Sequence, residues 1–210
     1  MIRLDDDTRD ALSETFNLAL GLAAEHFAEL VGEEIELTVP DVALLPAADL
    51  VARVQAAPGL AGHHRLASVA QTFKAAQGAL ATEAVLLFSE RGSLELLQRL
   101  LGGQAGPALG ESEREALGEV GNVILNACMN RLAEVFARPM QGSLPRLRVG
   151  APAALLAEAT RGTGQVLWAG VGLRLAEQAV DGQVMFLMEP DALAEAIERV
   201  RAYFGMAEAA

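Results

Sequence analysis

The chain contains one cysteine (Cys128), one lysine (Lys74), one tryptophan (Trp168), one tyrosine and four asparagines in 210 residues, and only 4% of it is aromatic. A lone cysteine cannot close an internal disulfide, which fits a reducing compartment. With one lysine and a formal net charge of −12, no basic patch with interleaved aromatics can form. That excludes nucleic acid as a natural partner and disfavours an anionic membrane surface. No apolar run approaches the length of a bilayer-spanning helix. Met1-Ile2-Arg3-Leu4, followed by Asp5, Asp6 and Asp7, lacks the apolar stretch and small-residue cleavage site of a secretory signal. The expected localisation is cytoplasmic. With 52% hydrophobic and 21% charged residues, a chain of this length can bury roughly 70% of the surface its unfolded form exposes.

One sparse pattern occurs twice. Asp10, Glu14, Asn17 and Pro40 return as Glu115, Glu119, Asn122 and Pro145, each pair 105 positions apart (115 − 10, 119 − 14, 122 − 17, 145 − 40). The four asparagines are Asn17, Asn122, Asn126 and Asn130, so a matched pair in one frame is hard to attribute to composition. The likeness continues past the prolines, in Pro46-Ala47-Ala48 and Pro152-Ala153-Ala154. Two copies this long are not a solenoid, whose units are shorter and more numerous. The reading is one domain over 1–210 made of two like halves, 1–103 and 107–210. The Gly-rich stretch 102–107 joins them.

Asp5 to Asp7 and Thr8 offer N-caps and negative charge for a helix over 7–31, which ends before Gly32. Its twin runs from 110–112 to about Ala137, with Ser112 and Glu115 forming a capping box. Alternation in Ile35, Leu37 and Val39 predicts a strand ended by Pro40, and Pro46 suits the first turn of a short helix through about Gln55. Apolar runs over 66–73 and 85–88, and over 166–175 and 184–188, read as paired strands. They turn near Gln77-Gly78 and at Val180-Asp181-Gly182. A helix over 93–101 closes the first half, and a short helical pattern closes the second. Hairpin-joined strands imply antiparallel pairing, so the fold class is α+β: a pseudo-twofold duplicated domain whose sheet of about six strands carries two long helices.

Helix positions i, i+4 and i+7 lie within an arc of about 60°, so Asp10, Glu14 and Asn17 share a face, as do Glu115, Glu119 and Asn122. The bland reading is a solvated stripe opposite a buried face. Gly21, Gly118 and Gly121 lie beside the stripes and each costs about 1 kcal/mol relative to Ala in a helix. They admit two readings: close approach by another protein, or tight packing on the sheet or the twin helix.

The doubled pattern Asp/Ser-x3-Glu-x2-Asn-x22-Pro resembles the CheC, FliY and CheX group of chemotaxis phosphatases across essentially the whole chain, most closely the free-standing CheC type. The second copy departs from the pattern in having Glu115 where Asp or Ser is usual. The resemblance implies hydrolysis of the aspartyl phosphate on a CheY-type response regulator. Asn17 and Asn122 would orient the attacking water, and Glu14 and Glu119 would engage a lysine of the regulator. Asp10, Glu115, Pro40 and Pro145 would support the motif. It implies no cofactor or metal held by this chain, the Mg²⁺ belonging to the regulator, and CheD as a further partner through the segment 152–159. The rival function is a non-catalytic chemotaxis or flagellar binding module.

The remaining candidates read as structural. His26 beside Glu25 and Glu29 is a solvated trio, and His63-His64 lies in a Gly-rich loop without a ligand partner. Cys128 is a buried small hydrophobe and Trp168 a core residue. Proline offers no acid, base or donor, so Pro40 and Pro145 shape the chain rather than the chemistry.

Overall fold

The computed structural model describes residues 4–32, 34–38, 41–103, 106–157, 164–175 and 181–206. Pro40, part of the linker and the second hairpin turn lie outside them. The chain begins with α1 (Asp6–Val31), β1 (Ile35–Leu37) and β2 (Asp41–Pro46), followed by α2 (Leu50–Ala56). The hairpin β3 (Leu66–Ala75) and β4 (Ala81–Ser89) and the helix α3 (Glu90–Leu100) complete the first half. The second half repeats the order as α4 (Glu111–Val135), β5 (Met140–Gly142), β6 (Arg146–Gly150), α5 (Pro152–Leu156), β7 (Gln165–Leu175), β8 (Asp181–Met188) and α6 (Pro190–Tyr203).

α1 begins because Asp5, in an extended conformation, accepts a hydrogen bond from Thr8 N at 2.7 Å, and it ends because Gly32 takes φ 74 and returns its N–H to Ala28. The Thr8 hydroxyl and N–H hold the Asp5 carboxyl below its ordinary value. A group whose pKa falls on folding stabilises above its unfolded pKa and loses that contribution as pH falls through the folded one. Asp5→Ala should therefore lower Tm at neutral pH, and the gap to wild type should close in acid; thermal melts across pH 2 to 7 measure it. The start of α4 differs from expectation. Gly110 is the N-cap, Ser112 lies inside the helix, and no side chain caps it. Glu113, rather than Glu115, reaches back and accepts from Gly106 N at 2.7 Å, which lowers the Glu113 pKa.

All strand pairs are antiparallel, in six strand positions whose two edges are each split in two. The order is β1/β2, β7, β8, β4, β3, β5/β6. The halves therefore do not sit side by side: each hairpin is flanked by the edge strands of the other half. β4 and β8 meet at the centre, where Val85 pairs with Met185. β1 and β5, and β2 and β6, begin 105 residues apart (140 − 35, 146 − 41). In the hairpins the spacing is 100, since Ala70 faces Val85 as Gly170 faces Met185.

Each edge carries one extra residue over the strand it pairs with, and in the second half Pro145 lies within it. From Gly142 to Arg146 the edge advances four residues while β3 advances three, from Phe73 to Ala70. The registers Leu37 with Leu173 and Asp41 with Gly170 give the same count on the other edge. A proline has no N–H for the ladder, and a bulge is where a strand tolerates one. Hydroxyls close both breaks alike: Ser143 Oγ accepts from Thr72 N at 3.1 Å and Thr38 Oγ1 from Gly172 N at 2.8 Å.

Several boundaries shift. Pro46 both ends β2 opposite Gln165 and caps a single 3₁₀ turn (Ala47–Asp49) that runs straight into α2, while Asp181 and Gly182 already lie in β8. β2, directly after Pro40, was not anticipated, because its mixed pattern does not alternate.

Alternate strand residues face opposite layers. Val69, Phe73, Ala169, Val171 and Phe186 pack against α1, α3, α4 and α6, with Phe16 and Phe186 stacked at 5.1 Å. Val85, Leu87, Trp168, Met185 and Leu187 meet α2 and α5 on the far side. Cys128 is fully buried in the larger core, and burial pushes its thiol up to about 12, so it stays a neutral apolar filler. Trp168 is buried and donates to Asp41 Oδ2 at 3.0 Å.

Candidate functional site

The two polar stripes run along α1 and α4, which pack against each other over the sheet. Asp10, Glu14 and Asn17 are exposed, as are Glu115 and Glu119, while Asn122 is half-buried. The burial follows from the helical period: Leu12, Phe16, Ala19 and Leu20 turn inward from α1, and Leu117, Val120, Ile124 and Leu125 from α4. Each stripe therefore forms a surface ridge within reach of a docked protein.

The glycines separate into two kinds. A Cβ at Gly21 or Gly118 would meet nothing within 4 Å, so both leave open space along the ridges. A Cβ at Gly121 would lie 2.5 Å from Val69 Cγ1, so that glycine serves close packing of α4 on β3.

Asn122 sits in a hydrogen-bonded cluster. Its Oδ1 accepts from Gln71 Nε2 at 3.1 Å and from Asn126 Nδ2 at 2.9 Å. Gln71 Nε2 also donates to Ser143 O at 3.0 Å, and Asn126 Nδ2 to Asn122 O at 2.7 Å. Gln71 is 1% exposed and points from β3 toward α4, at the level where the edge strand bulges past Pro145. Beside the cluster, Val123 is 42% exposed and Leu144 86%, an apolar margin to a polar centre. Pro145 is half-buried behind Leu144.

Gln71, Asn126 and Ser143 were not among the residues singled out from sequence. Asn126 carried a signal, being one of four asparagines and one turn beyond Asn122. Gln71 carried a fainter one, a polar residue on the inward face of the apolar run 66–73. His26, Glu25 and Glu29 are exposed on α1, and His63 and His64 in the loop after α2, as expected of solvated side chains. Among the described residues no helix is long and apolar enough to cross a membrane.

The architecture defines a class: a doubled α+β domain with interleaved halves and two long helices side by side over one antiparallel sheet. No protein-family model and no curated protein matches the chain. Solved structures do. The FliY of Thermotoga maritima superposes with a TM-score of 0.74 at 16% identity, over 97% of this chain and 98% of that one. The FliM of H. pylori in its complex with SpeE gives 0.67 at 8% identity, over 98% and 100%. A CheC-like protein of Shewanella sp. PV-4 gives 0.54 at 12% identity, over 83% and 96%. The chain thus has the fold common to FliY, CheC-like, CheX and FliM proteins.

Proposed function

We propose that the protein is a cytoplasmic phosphatase that hydrolyses the aspartyl phosphate of a CheY-type response regulator. The observation that carries this reading is the matched pair of Glu-x-x-Asn ridges, in one frame, exposed on neighbouring helices of a fold that chemotaxis proteins share. Either ridge can enter a partner's active site, because the small residues Gly21 and Gly118 leave the approach open.

The chemistry asks little of this chain. Water attacks phosphorus in line with the leaving carboxylate oxygen; the P–O bond to the aspartate breaks, its electron pair stays on the carboxylate, and the water's protons leave with inorganic phosphate. Hydrolysis needs that water positioned and the phosphoryl charge neutralised. The regulator's Mg²⁺ supplies the second. A carboxamide supplies the first, holding water by hydrogen bonding without titrating. Glu14 and Glu119 precede the asparagines by one turn and would pair with the regulator's lysine, fixing the docked geometry. Asp10 and Glu115 extend each ridge by another turn, and Pro145 holds the bulge beside the second.

The second reading is a binding module without turnover, and the match to FliM in complexes with FliG and with SpeE favours it. CheD is a further candidate partner through α5, where Ala153 and Ala154 are exposed while Pro152 and Leu156 pack inward. Residues 158 and 159 of that segment lie outside the described ones. Incubating the purified protein with a panel of phosphorylated receiver domains, and following phosphate release, separates the two functions. The phosphatase accelerates loss from at least one receiver by about 10²-fold over spontaneous hydrolysis. A binding module would associate with a partner and release nothing.

A further inference from the structure

We infer that Gln71 and Asn126 are positioning residues that lock the Asn122 carboxamide with its NH₂ outward, and that the Asn17 site, lacking both, carries the smaller share of turnover. This rests on the phosphatase reading and assigns roles within its site.

Two backbone carbonyls settle the orientation of the cluster. Ser143 O can only accept, so the end of Gln71 facing it is Nε2; Asn122 O can only accept, so the end of Asn126 facing it is Nδ2. Each amide then has one N–H left, and both point at the same atom of Asn122. That atom must be oxygen, because a reversed Asn122 would set NH₂ against two other NH₂ groups. With both lone pairs of Oδ1 occupied, Asn122 meets a partner as a donor alone. Its Nδ2 has no hydrogen-bond partner among the described residues and is not buried. Such a group donates to the attacking water's oxygen while leaving the other lone pair for phosphorus. The water's O–H groups then donate to other acceptors at the docked interface until its protons leave with the phosphate.

Gln71 bears a cost that packing alone does not explain. Its Oε1 is buried with no partner among the described residues, whereas a leucine would fill the same space without an orphaned acceptor.

The repeat supplies the comparison. At the helix spacing of 105, Asn126 corresponds to Gly21; at the hairpin spacing of 100, Gln71 corresponds to Val171. Neither can donate from a side chain. Asn17 is exposed and makes no side-chain hydrogen bond among the described residues, so none of them fixes the orientation of its carboxamide.

The test uses the full chain and a phosphorylated receiver that the wild type dephosphorylates. Asn122→Ala should lose at least about tenfold in kcat, and Asn17→Ala less than twofold. In an Asn17→Ala background, Gln71→Leu and Asn126→Ala should each lower kcat about tenfold with KM within twofold. Gln71→Leu should keep or raise Tm, which separates positioning from a merely structural role. In an Asn122→Ala background, Gly21→Asn should raise kcat at least threefold, since a Cβ at Gly21 meets nothing within 4 Å. Equal losses from the two asparagine variants, or unchanged kcat in Gln71→Leu, overturn the inference while leaving the phosphatase standing. A wild-type protein inert toward every receiver overturns both.

Discussion

Replacing Asn17 and Asn122 together by alanine is expected to lower the rate of phosphate release at least about 100-fold, equivalent to about 3 kcal/mol of barrier, with the fold unchanged. The size follows from what the side chains are asked to do. They hold one water in line and bring no nucleophile, acid or metal, so their removal forfeits positioning and nothing else. The fold should survive, because Asn17 is exposed and Asn122 half-buried, and alanine is the better helix former at both places. Single-turnover measurements on a phosphorylated receiver, beside circular dichroism and Tm, give both quantities. If the double variant releases phosphate at the wild-type rate, the asparagines have no part in the reaction.

Gly121→Ala is expected to cost about 2 kcal/mol of stability, a Tm drop of roughly 4–8 °C, although Gly→Ala in a helix normally gains about 1 kcal/mol. The added Cβ would lie 2.5, 2.6 and 2.8 Å from Val69 Cγ1, Cβ and Cγ2. Val69 is 1% exposed in a strand held on both sides by the sheet, so α4 would have to lift. In the other half the sizes at the corresponding positions are exchanged: by the two spacings of the repeat Phe16 corresponds to Gly121 and Ala169 to Val69, and Phe16 stacks on Phe186. Val69→Ala should therefore relieve Gly121→Ala, with a coupling of at least about 1 kcal/mol in a double-mutant cycle by chemical denaturation. Stabilisation by Gly121→Ala alone would show that α4 does not rest on β3 in this way. The helix bearing Asn122 is placed by this contact, so the pair also sets how far the carboxamide stands from Gln71.

The polar stripes were legible because a helix makes residues four and three apart neighbours on one face, whatever the rest of the fold does. Doubling could be recognised because sparse residues such as asparagine rarely recur in frame by chance. The strands of both hairpins were legible as apolar runs. The split edge strands were not: a proline reads as a terminator along the chain, whereas Pro145 lies at a bulge with strand on either side. The interleaving of the halves was equally hidden, since it depends on which hairpin each edge strand finds. Gly121 shows the same limit, as its sequence neighbours suit a docking ridge and a packing contact equally well.

By itself the sequence determined the class of fold, the two long helices and the stripe on each, since all of these are set by local periodicity and by the repeat. Only the tertiary structure decided that the two stripes differ. Gln71 lies 51 residues from Asn122 in the chain and reaches it because β3 runs beneath α4 beside a bulged edge. Its counterpart by the repeat, Val171, has nothing to donate. A hydrogen bond between distant segments depends on register and packing, and these emerge only when the halves have exchanged strands around a common core.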